Sequence, residues 1–317
     1  MNSFLFLRKG ELILHSTHFV IYNPMANHGR PKQQWPDIKS QLDNANIKYR
    51  LRITRHPHHA SSIVEYYLLS SFKNNELPES IIVAGGDGTI HEVLSGIKKA
   101  QKANSKIPNI PIAIIPTGSF NYFADGFHNK KENNIDIGTK IKRNEIVECN
   151  IGLFDENIKN QHGFFLNHSG IGLDANILSL KHYFNSKKSR LVSRFKYSLS
   201  IFPIIYYLSV FPVNIRTEKK DTISIKNVFM VTLLNDNFND DNLKLIILKK
   251  KNFIQLCYLL LVILFKKHLK LKPNLEINAK KIHIDIPSLE YGHVDGENLG
   301  SRFYDINYSK TKYPFIK

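Results

Sequence analysis

The chain has 317 residues, more than a single domain usually contains, so we expect two domains that share a cleft. Its 44 lysine and arginine residues outnumber the 27 aspartate and glutamate residues, which gives a net charge of +17 at pH 7. No zinc-finger spacing, RNP-like segment or compact basic helix accompanies this charge, so we expect no nucleic acid as a partner. An anionic membrane surface is favoured instead, with a solvated basic face as the simpler alternative.

The cysteines and apolar segments bear on where the protein works. Cys149 and Cys257 are far apart and form no C-x-x-C motif, which argues against a disulfide framework and a zinc site. The sequence does not begin with the pattern of a secretory signal, which is a basic segment, an apolar stretch and a cleavage site. Secretion is therefore not expected. The most apolar runs, 201–211 and 253–265, are too short to cross a membrane as helices. We therefore expect a cytoplasmic protein that acts peripherally at the inner membrane surface.

The first predicted strand, residues 18–22, leads into a polar loop that begins with Asn23 and Pro24. Asn27 and Gly29 in this loop both tolerate positive φ, so the loop could wrap around a nucleotide base or phosphate. A plain connecting loop explains the same residues equally well.

The next elements continue the alternation of helix and strand. Pro36 is expected to open a helix that ends near Asn44, and residues 49–53 form a second strand that ends at Thr54. A further helix is expected to run through Phe72. Its entry carries three histidines without a nearby carboxylate or cysteine, so local hydrogen bonding is favoured over a metal site. These histidines are His56, His58 and His59.

The third strand, residues 81–84, is an uninterrupted apolar run, as expected for a central parallel strand that is covered on both faces. It leads into the turn Gly85-Gly86-Asp87-Gly88-Thr89 and then into a helix. The glycines allow phosphate oxygens to approach the backbone amides, and Asp87 could hold Mg²⁺ against a polyphosphate. The alternative is a tight connection whose glycines only relieve steric crowding. The spacing matches neither the dinucleotide fingerprint nor the P-loop.

The fourth strand, residues 111–115, completes a repeating strand and helix pattern that predicts a parallel sheet. Ligands of such sheets bind beyond the carboxyl ends of the strands. Polar or glycine-rich turns follow all the predicted strands, so one nucleotide site could collect residues from each of them. These turns begin at Asn23, Thr54, Gly85 and Thr117.

From about residue 135 onward, short β-like runs replace the crossover helices, which predicts a mostly antiparallel second domain. Helical insertions are expected at 189–210 and 253–268. Near the end, Asp295-Gly296 lies between two β-like runs, and as an isolated motif it is most simply a hairpin turn.

Taken together and in order, these motifs resemble those of the diacylglycerol kinase catalytic-domain superfamily, which includes bacterial soluble lipid kinases and the sphingosine kinases. The likeness extends from about Phe19 to Tyr308. The residues that carry it are Asn23-Pro24, Thr54 with His59-Ala60, Gly85-Gly86-Asp87-Gly88-Thr89 with Glu92-Val93, Pro116-Thr117-Gly118 with Asn121 and Phe123-Ala124, Asn167 with Gly170-Ile171-Gly172 and Asp174, and Asp295-Gly296-Glu297.

The resemblance implies a fold, cofactors and partners. The N-terminal domain would be α/β with a parallel sheet, like that of NAD kinase and 6-phosphofructokinase, and the C-terminal domain β-rich and mostly antiparallel. We place the first at residues 15–134 and the second at 135–317, with the last strand free to return to the first domain. ATP and Mg²⁺ are the implied cofactors. The implied partners are a lipid substrate and an anionic membrane surface, and a homodimer is left open.

The resemblance also implies roles for particular residues. Glu297 would be the general base that accepts the proton of a lipid hydroxyl, and Asp87 would organise Mg²⁺ and the phosphates. Asp241, in the short segment 236–242, is the remaining candidate for a metal ligand that some bacterial members carry there. The implied nucleotide site comprises Asn23, Pro24, Asn27, Thr54, Gly85, Gly86, Gly88, Thr89, His91, Glu92, Thr117 and Asn121.

Three functions are consistent with the sequence. The first is an ATP-dependent lipid kinase acting on a diacylglycerol-like or long-chain-base lipid. The second is a nucleotide- or lipid-binding protein that has lost turnover, a reading motivated by His91, Tyr122 and the shortened 236–242 segment. The third is an NAD kinase, whose glycine turn is similar. The Asp295-Gly296-Glu297 motif and the long second domain argue against this third function.

Overall fold

The computed structural model describes residues 14–15, 17–118, 121–127, 136–176, 210–219, 222–249 and 274–317. These residues belong to two compact units. The first unit takes the chain up to Cys149 together with residues 312–317, and the second takes residues 150–311. The helices expected at 189–210 and 253–268 lie outside the described residues, apart from Val210. Among the helices that the structure does describe, none has the length and apolar character needed to span a membrane.

The first unit alternates strands and helices along the chain. In order, these are β1 (Leu14–His15), β2 (His18–Tyr22), α1 (Pro31–Asn44), β3 (Tyr49–Ile53), α2 (His59–Lys73), β4 (Leu77–Pro78), β5 (Ile81–Gly85), α3 (Asp87–Ala103), β6 (Ile112–Pro116), α4 (Tyr122–Phe127) and α5 (Ile137–Arg143). Helix α1 begins at Pro31 rather than at Pro36, because Pro31 takes the first helical turn, where proline is well tolerated.

The strands of the first unit pair in the order β6, β5, β2, β3, and each of these pairs is parallel. The last residues of the chain add a further parallel strand, with Phe315 opposite Ile112 of β6. Strand β5 is buried along its whole length, as the uninterrupted apolar run of 81–84 predicts. One face of the sheet packs on α1 and α5 through a core that includes Leu42, Ile82 and Ile141.

Helix α5 packs closely on α1, and this contact places α5 in the first unit. A Cβ on Gly138 would overlap the carbonyl oxygen of Gln41 and the methyl group of Ala45. The backbone N–H of Ile137 donates to Gln41 Oε1 at 3.0 Å. The chain therefore enters the second unit after Cys149, some distance beyond residue 134, where the change in periodicity set the expected domain boundary.

The second unit is built from strands. Strand β7 (Ile146–Glu156) begins at the end of the first unit, and the strands that follow are β8 (Gln161–Phe165), β9 (His168–Gly172), β10 (Phe211–Thr217), β11 (Thr222–Leu234), β12 (Leu243–Lys249), β13 (Leu275–Ala279), β14 (Ile282–Val294) and β15 (Glu297–Ile316). Strand β7 pairs with β8, and β9 to β15 pair with one another, in antiparallel fashion, which confirms the antiparallel sheet predicted for the second half of the chain.

Strands β11 and β14 are long, and both pair with the shorter strands β9 and β10. At one end they flank β10, with Ile215 opposite Ile223 of β11 and Ile284 of β14. At the other end they flank β9, with Gly170 opposite Thr232 of β11 and His293 of β14. The ends of β9 and β14 therefore lie side by side. Gly170-Ile171-Gly172 of the sequence motifs lie on β9, and Asp295 directly follows β14.

Replacing Gly96 by alanine is expected to lower the free energy of unfolding by roughly 1–3 kcal/mol. The added methyl group would overlap the carbonyl oxygen of Ser61 and the side chain of Val64, where α3 crosses α2. Gly88→Ala, on the same helix, is the matched control because no atom lies within 4 Å of a Cβ at that position. Chemical denaturation followed by circular dichroism measures both variants. A Gly96→Ala protein as stable as wild type would contradict this close helix contact.

Candidate functional site

Four predicted residues of the first unit lie at the carboxyl ends of neighbouring parallel strands. The sheet hydrogen bonding continues one residue past the strands, with Asn23 N–H donating to Ala84 O, Thr54 N–H to Tyr22 O and Thr117 N–H to Gly85 O, each at 2.9 Å. Adjacent strands lie about 4.8 Å apart, so these residues form a row along one edge of the sheet. The residues in this row are Thr54, Asn23, Gly86 and Thr117.

The turn between β5 and α3 is fixed to this row by side chains. Gly86 is the residue before α3 and has an extended backbone, and its carbonyl accepts the Thr89 N–H at 2.8 Å. The Thr89 hydroxyl accepts a hydrogen bond from Asn23 Nδ2 at 3.0 Å, while Asn23 Oδ1 accepts the Met25 N–H at 3.1 Å. Asn23 therefore ties the first loop to the glycine turn.

The reason for glycine differs between positions in and near this turn. A Cβ on Gly85 would lie 2.6 Å from the side chain of Thr89, and a Cβ on Gly118 would overlap the backbone of Gly86. Steric crowding explains these two glycines, as the simpler interpretation of the motif proposes. Gly88 is exposed, and a Cβ there would meet no atom within 4 Å. Packing does not explain Gly88, which leaves open space over the first turn of α3.

Helix α3 begins at this turn and presents the backbone amides of its first turn without a side-chain cap at Gly86. Such an end attracts anions, since the amide hydrogens and the helix dipole both favour negative charge. The buried hydroxyl of Thr117 has no hydrogen-bond partner among the described residues. A buried polar group of this kind usually has a partner, so a ligand oxygen fits this position.

Asp87 contributes to the structure of the turn as well as to its charge. Its Oδ2 accepts the backbone N–H of Phe123 at 3.1 Å, which fixes the start of α4 next to the start of α3. Asn121 brackets Gly118, with Oδ1 accepting the Gly118 N–H and Nδ2 donating to the Gly118 carbonyl, both at 3.1 Å. The segment after β6 is thus held against the glycine turn.

Glu92 has a role that the sequence did not indicate. Its two carboxylate oxygens accept the backbone N–H groups of His58 at 2.9 Å and Ala60 at 3.0 Å, at the start of α2. His58 has a left-handed backbone with φ of 63°. A carboxylate from a different helix therefore caps α2. The predicted nucleotide contact of Glu92 stays a prediction beside this structural role.

The remaining predicted residues of the first unit flank the row. Asn27 and Gly29 have positive φ angles of 43° and 89°, as predicted for the loop after β2. His59 Nδ1 accepts the Arg55 N–H at 3.0 Å, which agrees with local hydrogen bonding for the histidines at this helix entry. Pro24 and His91 are half-buried, in the first loop and on α3 respectively.

In the second unit, Asp295 and Gly296 form the two-residue turn between β14 and β15. Their φ angles are 48° and 90°, and Val294 pairs with Glu297 across the turn. Positive φ at both central residues is the signature of the type I′ hairpin, so the Asp-Gly prediction is confirmed. Glu297 is the first residue of β15 and its side chain is exposed.

The carboxylate of Asp295 anchors this turn to the loop between β8 and β9. It accepts the backbone N–H groups of Leu166 at 2.6 Å, Asn167 at 2.9 Å and His168 at 3.1 Å. The Asp295 N–H in turn donates to the His168 carbonyl at 2.9 Å. Because hydrogen bonds to a charged acceptor are strong, these contacts hold the turn that carries Glu297 in one position.

Asp241, the predicted metal ligand, contacts two side chains of the second unit. Its Oδ1 accepts a hydrogen bond from Asn150 Nδ2 at 3.3 Å, and its Oδ2 lies 3.5 Å from Lys280 Nζ. The Nζ atom of Lys310 donates to the carbonyl oxygens of Asn237 at 2.9 Å and Asp240 at 2.8 Å. Lysine ammonium groups thus lie close to oxygen atoms of the 236–242 segment, and the metal role of Asp241 stays a prediction.

Comparison with known proteins gives a consistent result. Residues 17–154 match the family model of the diacylglycerol kinase catalytic domain. YtlR, a candidate lipid kinase from Bacillus subtilis (strain 168), is 27% identical over 299 residues, which cover 89% of this chain and 94% of that protein. A diacylglycerol kinase from Staphylococcus haemolyticus is 24% identical over 295 residues, which cover 89% of this chain and 82% of the relative.

A solved structure shows the same fold. The crystal structure of a diacylglycerol kinase from Bacillus anthracis str. Sterne superposes with a TM-score of 0.62 at 19% sequence identity, and the match covers 95% of this chain and 96% of the other. The motifs of the sequence, the matched residues 17–154 and the lipid kinase relatives thus support the resemblance to the diacylglycerol kinase catalytic-domain superfamily, and the solved structure shows the same fold.

Proposed function

We propose that this protein is an ATP-dependent lipid kinase, which transfers the γ-phosphate of ATP to a hydroxyl group of a diacylglycerol-like or long-chain-base lipid. The observation that carries the proposal is the row of strand ends in the first unit, where the exposed Gly88 and the buried Thr117 hydroxyl leave a place for phosphate oxygens. The relatives named as lipid kinase and diacylglycerol kinase support a lipid as the acceptor.

The nucleotide is assigned to the first unit. The amides of the first turn of α3 would donate to phosphate oxygens, and the Thr117 hydroxyl would donate to another oxygen of the nucleotide. Asn23 and Thr89 hold the turn in place through their hydrogen bond and line the site. Asp87 would hold Mg²⁺, an ion that, when bound, neutralises charge on the transferring phosphate.

The proton is assigned to Glu297. A lipid hydroxyl becomes a better nucleophile as it loses its proton, and a carboxylate within hydrogen-bond reach accepts that proton while the oxygen attacks the γ-phosphorus. The bond from the γ-phosphorus to the bridging oxygen breaks, and ADP leaves with the electron pair. An exposed carboxylate on an anchored turn suits this role, because Asp295 restricts the position of the turn.

Replacing Glu297 by glutamine is expected to lower kcat by about 10²–10⁴-fold, since the amide cannot accept the proton. The exposed position predicts little change in stability. Transfer of labelled phosphate from ATP to a panel of lipids, with NAD included as an acceptor, measures the rate. Glu276→Gln, at an exposed residue of the same unit, is the control.

Two outcomes would contradict this assignment. Wild-type protein that binds ATP but phosphorylates no lipid would favour the binding protein without turnover, and formation of NADP would favour an NAD kinase. A Glu297→Gln enzyme as fast as the Glu276→Gln control would remove Glu297 from the reaction.

Gly88→Val is expected to weaken ATP binding at least tenfold, because the side chain would fill the space over the first turn of α3. Ala103→Val places a similar side chain at the other end of the same helix, at an exposed position, and should bind ATP as wild type does. Isothermal titration calorimetry with ATP and Mg²⁺ gives both dissociation constants. Equal affinities for the two variants would move the nucleotide away from this turn.

Asp295→Asn tests the anchor of the Glu297 turn. Asparagine tolerates the positive φ of this position but replaces a carboxylate that receives three backbone N–H groups. We expect kcat to fall by about tenfold or more while the dissociation constant for ATP stays unchanged. Ile247→Val, a core substitution in the same unit that costs roughly 0.5–1.5 kcal/mol, controls for lost stability. A loss of kcat no larger than in this control would refute a positioning role.

A further inference from the structure

We propose that His168, Asp174 and His293 form a binding site for a first-row divalent cation of the zinc type, within the second unit. One ligand atom from each residue lies within 4.8 Å of the other two. His293 Nε2 lies 3.2 Å from Asp174 Oδ2, and His168 Nε2 lies 3.9 Å from the same oxygen. No step of the proposed phosphate transfer uses these imidazole groups.

The three side chains come from rigid and adjacent elements. His168 opens β9, Asp174 follows β9 by two residues, and His293 is near the end of β14. Strands β9 and β14 pair directly, with His293 opposite Gly170. A Cβ at Gly170 would collide with the Asp174 carboxylate and with His293 Nε2, so glycine at this position keeps the space between the ligand atoms open.

Two of the three side chains of this cluster are shielded from water. The side chains of Asp174 and His293 are each 2% exposed, while that of His168 is 21% exposed. A buried carboxylate needs a hydrogen-bonding or cationic partner. Thr232 Oγ1 donates to Asp174 Oδ2 at 3.1 Å, which is the kind of outer contact that orients a metal-binding carboxylate. His168, the most exposed member, marks the side from which an ion would enter.

The environment of His293 Nε2 is a further observation that points to a metal ion. It is fully buried, and despite its 3.2 Å separation from Asp174 Oδ2 it makes no aligned hydrogen bond within the described residues. Ligand atoms about 2.0–2.2 Å from a tetrahedral zinc ion lie roughly 3.3–3.5 Å apart. The two distances to Asp174 Oδ2, 3.2 Å and 3.9 Å, bracket that value, and the three ligand atoms all lie within 4.8 Å of one another.

The other ring nitrogen of His293 links the site to the hairpin turn. His293 Nδ1 accepts the Gly296 N–H at 3.3 Å, so in the metal-free protein the ring proton belongs on Nε2. A metal ion on Nε2 would move this proton to Nδ1, where it would face the Gly296 N–H and break that hydrogen bond. A Cβ on Gly296 would meet no atom within 4 Å, so its amide has room to move while the contacts of Asp295 stay in place. Metal binding is therefore coupled to the turn that precedes Glu297.

The ligand set selects the kind of ion. Two imidazole nitrogens and one carboxylate oxygen suit Zn²⁺ and its first-row neighbours, whereas Mg²⁺ prefers oxygen ligands alone. The site should therefore take Zn²⁺ or Co²⁺ in the presence of excess Mg²⁺. This distinguishes it from the Mg²⁺ that accompanies ATP in the first unit.

The test is a titration of the full, metal-stripped chain with Co²⁺ and then Zn²⁺, in buffer with millimolar Mg²⁺. We expect one Co²⁺ per chain, seen by its visible absorption, and displacement of Co²⁺ by an equimolar amount of Zn²⁺. His168→Ala and Asp174→Asn should each weaken binding at least 100-fold. His162→Ala is the matched control, because His162 is an exposed histidine of the same unit that also pairs with a carboxylate, that of Asp155.

A second measurement keeps the test decisive if a variant folds poorly. In wild-type protein, Zn²⁺ should shift the amide resonance of Gly296 and move the proton of His293 from Nε2 to Nδ1 in ¹⁵N spectra. Absence of stoichiometric binding, displacement by Mg²⁺, or unchanged binding by a folded His168→Ala, Asp174→Asn double variant would overturn the site. These readouts do not depend on kinase activity, so failure here leaves the proposed function unaffected.

Discussion

The first unit depends on the parallel register of its sheet. Because the hydrogen bonding of β2 to β3, of β2 to β5 and of β5 to β6 continues one residue beyond the strands, Asn23, Thr54 and Thr117 fall in one row with the glycine turn. A shift of any strand by one residue would turn its polar end residue to the opposite face. Only this alignment places the polar residues that follow the strands beside the first turn of α3.

In the second unit, one acidic residue anchors a turn and a neighbouring acidic residue is exposed on it. Asp295 spends its carboxylate on backbone N–H groups, which leaves Glu297, two residues later, exposed and held in place. Glu92 in the first unit does the same for the start of α2. Some acidic residues within recognisable motifs thus have structural roles, and a motif alone does not identify them.

The glycines of the first unit differ in the reason for which glycine is present, and the polar side chains of the second unit differ in the groups that they contact. Gly85 and Gly118 are required by crowding, whereas a Cβ on the exposed Gly88 would meet no atom within 4 Å. Lys310 donates to two carbonyl oxygens of the 236–242 segment, in which the resemblance places a metal ligand. The cluster of His168, Asp174 and His293 offers imidazole ligands at a separate place.

The sequence alone determined the alternation of strands and helices in the first half, the strand-rich second half, and the Asp295-Gly296 hairpin. These features follow from hydrophobic periodicity and from the φ angles that a few residues permit, and both are local properties. Tertiary structure decided the rest. The partners of Glu92 lie 32–34 residues away and those of Asp295 lie 127–129 residues away. Packing of distant segments created these contacts, and no pattern within a short window specifies them.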